Sequence, residues 1–442
     1  MPRRNHVPAS LPLHLQRYAL LEMGSELLEV DRARALVLEC AQPLEEESVA
    51  LDDALGRVLA RGLSSTSPVP AFDSSAMDGF AVRSDDLAAA RSGAPVVLEL
   101  VGESRAGHPM QELLGPLEAA TISTGAVIPA GADAVVPLER ASTSDGHLEL
   151  GEPVAAGNDI RRSGEDIPSG TVVLGPGRRL GPAAVGVAAS LGLASVPCRR
   201  RPLVSVIATG DELLEPGSEP RAGAIYNSNG HAVPALARFA GALTTPAASV
   251  GDDPQDTLRV IDEALGTSDV LVLCGGVSVG PHDHVRQTLT RLGAQERFWG
   301  IALRPGKPTW FGTRAQQLVF GLPGNPVSAM VTFVLLVAPA LRAMMGAGTL
   351  RHEARGILGS DYDKPPGRAH AVRCRLDTDE GRLRATPTGH QGSHVLSAML
   401  DADALAIVPS ATEHVAAGEQ VELELLGEQG ELELLGERGA CR

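Results

Sequence analysis

The stretch Leu203-Val204-Ser205-Val206-Ile207-Ala208-Thr209-Gly210-Asp211-Glu212 sets the fold class. Leu203–Ala208 is an apolar run interrupted only by Ser205, and it ends in Thr-Gly followed by two acids. A run of this kind suits a strand buried on both faces. Helical sequence follows, then a weaker strand candidate within Leu243–Val250, then a helix over Asp256–Leu265. The apolar run Val270–Leu273 leads into Gly275-Gly276, and Gln317–Phe320 leads into Leu322-Pro323 and a long apolar helix over Val327–Met345. Strands alternating with helices predict a doubly wound parallel sheet.

Outward from this module the texture changes. Residues 24–66 carry helical periodicity through Leu27, Leu28, Val30, Ala33, Leu36 and Val37, then Leu51, Ala54, Leu55 and Val58, until Pro68 and Pro70 break it. Residues 71–157 read as short strands among glycines and prolines, including Pro95–Val101, Ala119–Ser123 and Ala134–Pro137. Gly157–Gly164 reads as a linker back to helical and turn-rich sequence, and residues 351–410 again read as short strands. A chain of 442 residues exceeds what one hydrophobic core supports. The expected division is an N-terminal extension over 1–23, expected to be disordered; a linking domain from 24–66 plus 158–200; and a β-rich insert domain over 67–157. A central α/β domain over 201–348 and a C-terminal β domain over 349–442 complete it. Met23 offers an alternative start, and the tail repeats Glu422-Leu-Glu-Leu-Leu-Gly-Glu from Glu431, which reads as a tandem duplication.

Composition narrows the function classes. Apolar residues make up 43% and aromatics 3%, so the cores are aliphatic. A formal charge of −16 opposes non-specific binding to nucleic acid or to an anionic membrane, and neither is expected as a partner. The five cysteines are scattered with no Cys-x-x-Cys pair, which argues against disulfides and structural zinc and fits a reducing cytoplasm. No secretory segment is evident. The apolar run Ala329–Leu341 reads as too short and too Pro-interrupted to cross a bilayer. Only two lysines occur, Lys307 and Lys364.

In an open α/β sheet, ligands bind beyond the carboxyl ends of the strands. Four motifs fall there. Thr209-Gly210-Asp211-Glu212 brings two acids to the crevice, although a plain helix N-cap explains it better by itself. Gly275-Gly276-Val277-Ser278-Val279-Gly280, followed by Asp283, has the residues of a backbone N–H nest for phosphate, or of a tight strand–helix turn. It is neither a Walker loop nor a dinucleotide fingerprint. Arg304-Pro305-Gly306-Lys307-Pro308 is a rigid basic loop, suited to an anion in so acidic a chain. In Leu322-Pro323-Gly324-Asn325-Pro326-Val327-Ser328, Asn325 suits an N-cap and Pro326 the first helical position, and the helix start can also face an anion. Asp252 and Asp253 add carboxylates of the kind that hold Mg²⁺ beside phosphates. Together these suggest metal-assisted cleavage of a phosphoanhydride. Phe72-Asp73-Ser74-Ser75-Ala76-Met77-Asp78-Gly79-Phe80-Ala81-Val82-Arg83 is unusual for an edge strand, and its chemistry alone assigns it no role.

These motifs, in this order, resemble the molybdopterin molybdenumtransferase family, the bacterial MoeA proteins and the E domain of gephyrin. Phe72–Arg83, Thr124-Gly125-Ala126, Arg162–Ile167, Thr209–Leu213, Gly275–Asp283, Arg304–Pro308 and Leu322–Ser328 carry the resemblance, which spans about Val30 to Val421. It implies an elongated homodimer of multidomain α/β subunits. Each would have a central doubly wound sheet like that of pterin adenylyltransferases, a β-rich insert, a discontinuous linking domain and a small C-terminal β-barrel-like domain. The implied activity is insertion of molybdate into adenylated molybdopterin, with Mg²⁺-dependent release of AMP.

The cleft would lie between the central domain of one subunit and the β-rich domain of the other, which Asp78 and Thr124 would reach across the interface. By the same resemblance Glu212, Asp252 and Asp283 surround phosphate, adenylate and Mg²⁺. Gly275, Gly276, Ser278 and Gly280 cradle phosphate, and Pro323 and Pro326 shape the wall. Asp166, with Arg162, supports the hinge. Arg304, Lys307, Pro308, Arg368 and Ser393 would hold the oxyanion. The chain departs from the family with Gly392-Ser393-His394 where Ser-Ser-Arg is frequent, and with Arg304 where Lys is common. Transient docking of a molybdopterin adenylyltransferase is expected. The rival readings are an adenylyltransferase and a non-catalytic scaffold of the gephyrin type; Phe72–Arg83 and the C-terminal β domain argue against the first, and the intact acids against the second.

Overall fold

The computed structural model describes residues 27–277, 284–347 and 353–427. At its centre is a seven-stranded sheet. Its strands are β1 (Leu203–Thr209), β2 (Leu243–Thr244), β3 (Ala248–Val250), β4 (Val270–Cys274), β5 (Gln295–Trp299), β6 (Trp310–Arg314) and β7 (Gln317–Leu322). They lie in the order β2-β1-β4-β7-β6-β5, with β3 also on β1. β1, β4 and β7 are parallel, in register Ile207↔Leu273 and Leu273↔Gly321. Every residue of β4 is buried, as its unbroken apolar run requires. The antiparallel flank, β6 between β5 and β7, was not legible in the sequence. β5 (Gln-Glu-Arg-Phe-Trp) carries three exposed polar residues in a row, so it lacks both the alternation and the apolar run that mark a strand.

Helices α1 (Val30–Cys40), α2 (Asn229–Phe239), α3 (Pro254–Thr267) and α4 (Pro326–Met344) pack around this sheet. The helix α4 corrects the expectation that its apolar run is too short and too Pro-interrupted. It is continuous for 19 residues, with a π-turn over Phe333–Val337, and is mostly buried inside the protein. Pro339 has no N–H to give the carbonyl of Leu335, four residues back. The Nε of Arg34 donates to that carbonyl instead (3.1 Å). A core helix built this way explains its apolarity without a bilayer.

Only the first half of the helical periodicity in residues 24–66 becomes a helix. Glu46–Ala50 is a strand paired with Ser195–Arg199, and Leu51–Asp53 is one 3₁₀ turn. Ala54 and Leu59 fill a separate small core with Leu180, Ala184, Ala188, Val196 and Cys198, while Leu55 is exposed. The helical spacing there was produced by a turn packing into that core. Leu63–Ser64 likewise pairs with Val172–Leu174, so segments before and after the insert meet.

The insert is a six-stranded sheet in which Gly79–Val82 lies between Glu118–Ile122 and Ala134–Pro137. After α4, strands β8 (Glu353–Leu358), β9 (Ala369–Asp379), β10 (Arg382–Pro387), β11 (Ala404–Val408) and β12 (Gln420–Leu425) close a ring, β9-β10-β8-β12-β11 and back to β9. Leu303–Arg304 pairs in parallel with Ala369–His370, fastening the basic loop to this barrel. The N-terminal extension and the second copy of the tail repeat lie outside the described residues.

Candidate active site

The carboxyl ends of β1, β4 and β7 meet at one crevice. Gly275 and Gly276 follow β4 with φ of 93° and 65°, a left-handed turn that favours glycine. Close packing demands glycine there too, since a Cβ on Gly276 would lie 2.6 Å from Val285 Cγ2. The Gly275 N–H donates to the Leu322 carbonyl (3.0 Å), and a Cβ on Gly324 would stand 3.7 Å from Gly275 Cα. The Gly275 turn and the Pro323-Gly324 loop are therefore one wall. Ser278, Gly280 and Asp283 lie outside the described residues.

The acids at this end divide by role. Asp211 Oδ1 accepts from the Asp252 N–H (3.0 Å), tying β1 to the turn after β3. Asp253 caps α3, accepting from the N–H groups of Gln255 and Asp256 (2.9 Å each). Glu212 and Asp252 remain exposed at the crevice. Among the described residues no three His, Cys, Asp or Glu side chains gather as a metal cluster. A Mg²⁺ site here fits only the arrangement in which one or two carboxylates are completed by substrate phosphates. Cys274, at the buried end of β4, has its thiol pushed up to about 12 by burial.

The basic loop is tightly held. Gly306 has φ 131°, and a Cβ there would lie 2.6 Å from Thr332 Cγ2 on α4. The Lys307 carbonyl accepts from the N–H groups of Ile301 (3.0 Å) and Thr309 (2.9 Å). Lys307 and Pro308 are half-buried, whereas Arg304 is exposed beside His370 in the paired strand. His370 is held down to about 4 by burial and then by Arg304, Lys364 and Arg368, and its Nδ1 lies 3.0 Å from the Tyr362 hydroxyl.

Arg373, two strand positions past Ala371 on β9, was missed by sequence reasoning. Its side chain is fully buried; its Nη2 donates to the carbonyls of His390 (3.0 Å) and Gly392 (3.3 Å). Its Nε and Nη1 are buried with no hydrogen-bond partner among the described residues. Gln391 clasps its backbone from both sides, accepting from its N–H (2.9 Å) and donating to its carbonyl (3.1 Å). The available signal was a charge inside the otherwise buried run Ala369–Cys374.

Arg368, the arginine named from the sequence, is half-buried and its carbonyl accepts from Lys364 Nζ (2.9 Å). Lys364 also donates to the carbonyls of Pro365 (3.4 Å) and Ser410 (3.2 Å), so the second lysine is a backbone brace. Asn325 sits at the N-cap of α4 but makes no side-chain cap; its Nδ2 reaches Ser393 Oγ instead (3.3 Å). That contact brings Ser393 and the loop around Arg373 to the crevice wall.

Asp78 and Thr124 are together, the Thr124 N–H donating to Asp78 Oδ1 (2.7 Å), and both are exposed on the insert sheet. Arg162 does not pair with Asp166. Its Nη1 donates to Asp73 Oδ2 (2.6 Å), and the Ser163 N–H donates to Asp73 Oδ1 (2.8 Å). The Ser163 N–H first and the Arg162 guanidinium second hold the Asp73 carboxyl below its ordinary range. Asp166 is exposed, and its backbone N–H donates to the Val69 carbonyl (3.1 Å).

Residues 28–192 match the family model described as "MoeA N-terminal region (domain I and II)". Residues 205–343 match "Probable molybdopterin binding domain" and residues 355–426 "MoeA C-terminal region (domain IV)". The chain is 37% identical over 404 residues to a Bacillus subtilis protein named molybdopterin molybdenumtransferase, covering 90% of this chain and 94% of that one. A Haemophilus influenzae protein of the same name is 36% identical over 403 residues, with 90% and 98% covered. Among solved structures, a molybdopterin biosynthesis MoeA protein from Pyrococcus horikosii aligns with a TM-score of 0.80 at 31% identity, covering 91% of this chain and all of that one.

Proposed function

The chain belongs to the molybdopterin molybdenumtransferase family, the MoeA proteins of molybdenum cofactor biosynthesis, and from that premise we propose that it inserts molybdate into adenylated molybdopterin as AMP is released. The observation that carries this reading is Arg373. A buried guanidinium with two unpaired nitrogens is costly for folding, and an oxyanion is the partner that satisfies it. Arg304 and Lys307 add positive charge on the adjoining loop, and Ser393 adds a hydroxyl.

In this reading the Gly275-Gly276 turn and the Pro323–Pro326 wall receive the phosphates and adenylate. Molybdate docks between the Arg304–Pro308 loop and the Arg373–Ser393 corner. Glu212 and Asp252 are the residues that would hold Mg²⁺ with the phosphates, where the ion supplies charge neutralisation to the phosphoanhydride. The Cys274 thiol, pushed up to about 12 by burial, has no part as a nucleophile in this reading. Asp78 and Thr124 stand together and exposed on the insert sheet, where they can face the cleft of a second subunit in the homodimer of this reading. The scattered cysteines support a cytoplasmic protein, and the family's chemistry supports a molybdopterin adenylyltransferase as the source of its substrate.

The test is AMP release from adenylated molybdopterin and Mg²⁺, with and without molybdate. Molybdate-dependent release is expected from the wild-type chain and is expected to vanish in Glu212→Ala. Bound nucleotide that is never released would instead make the chain a scaffold.

A further inference from the structure

Two asparagines at the start of α2 are treated very differently by the fold. Asn227 is 3% exposed and uses both ends of its amide: Oδ1 accepts from the Gly230 N–H (2.8 Å), and Nδ2 donates to Glu215 Oε1 (3.1 Å). Asn229 is 8% exposed and uses one. Its Nδ2 donates to the Gly324 carbonyl (2.7 Å), while its Oδ1 is buried with no hydrogen-bond partner among the described residues. An unmade buried acceptor costs more than an ordinary hydrogen bond returns, and Gly324 is exposed, so its carbonyl can turn to water; folding alone would be served as well by an apolar side chain of the same shape.

What Asn229 does hold is the wall of the crevice. Gly324 abuts the Gly275 turn, and the next residue, Asn325, reaches Ser393 at the oxyanion corner (3.3 Å). We infer that Asn229 is a positioning residue that pins the Pro323–Asn325 wall before substrate arrives, at the expense of folding stability. The inference rests on the proposed transferase reading and adds a residue that reading does not use. No contact between Asn229 and substrate is required.

The test uses full-length Asn229→Leu, which removes the donor and the orphaned acceptor together. Thermal unfolding is expected at the wild-type temperature or above. Hydrogen–deuterium exchange of the peptide containing Leu322–Val327 is expected to quicken without any ligand. KM for adenylated molybdopterin is expected to rise about tenfold, the scale of one lost hydrogen bond, with kcat changing less. Unchanged exchange and KM overturn the inference. So does a parallel fall of melting temperature, KM performance and kcat, which marks an ordinary structural asparagine.

Should the leucine variant fail to fold, Asn229→Asp replaces it. A protonated carboxyl can donate to the Gly324 carbonyl and an ionised one cannot, so KM should climb with pH in this variant alone; a profile parallel to wild type overturns the inference. If wild-type protein releases no AMP, the transferase reading fails. The exchange and melting measurements still decide whether Asn229 pins the wall.

Discussion

Arg34 and Arg373 are both arginines brought into the interior near the C-terminal barrel, and the fold completes only one of them. Arg34 gives its Nε to the Leu335 carbonyl (3.1 Å) and its Nη2 to buried Glu424 (3.2 Å), which Arg342 also approaches (3.9 Å). Every element of that arrangement repairs something: Pro339 frees the carbonyl, and Glu424 needs a cation. Arg373 gives one nitrogen to two carbonyls and leaves Nε and Nη1 idle. A buried charge completed by its own chain is architecture, whereas one left incomplete is, in the function proposed above, prepared for an oxyanion.

The largest effect that could break this comparison is on stability. Arg34→Met is expected to cost about 3 kcal/mol in denaturant unfolding, because the Leu335 carbonyl loses its donor and buried Glu424 loses the nearer of its two arginines. Arg373→Met is expected to leave stability unchanged or slightly higher, yet to cut molybdate-dependent AMP release about 100-fold, with nucleotide binding intact. If the two variants lose stability equally, the distinction between them collapses.

A second measurement sharpens the picture at the same corner. His370 is held down to about 4, against an ordinary value of about 6.5. Between those values the unfolded chain binds a proton that the folded chain refuses. Stability should therefore fall as pH drops from about 6.5 to 4, by at most about 1.4 kcal/mol per pH unit, and level off below. His370→Gln should flatten that slope in urea titrations taken across the window.

The smallest effect separates neighbouring acids. Asp253→Ala should cost about 1 kcal/mol through loss of the α3 cap while leaving AMP release unchanged. Lost release in this variant would return Asp253 to the reaction.

Local sequence determined a great deal here. Apolar runs, broken in β1 only by Ser205 and leading into Thr209-Gly210, Gly275-Gly276 and Pro323-Gly324, identified β1, β4 and β7, and with them the crevice. Whereas the Asp78 and Thr124 motifs were named by the family resemblance alone, strand and loop signals located Pro323-Gly324 and the Arg304–Pro308 loop. These succeed because burial on both faces of a parallel strand and tight glycine or proline turns are local demands. The helical periodicity read through Leu51, Ala54, Leu55 and Val58 failed for the complementary reason: spacing reports that residues are buried, and a turn in a small core buries them equally well.

Only the tertiary structure decided which charges face a partner and which are spent on the fold. Arg368 and Arg373 lie on one short segment, as do Asn227 and Asn229. Within each pair the side chains are chemically alike, and nothing local tells them apart. What differs is whether a carbonyl or N–H from a distant segment arrives to complete them, as Gly392 and His390 half-complete Arg373 and Gly324 half-completes Asn229. Hydrogen-bond satisfaction depends on residues far away along the chain, so the folded backbone alone settles it.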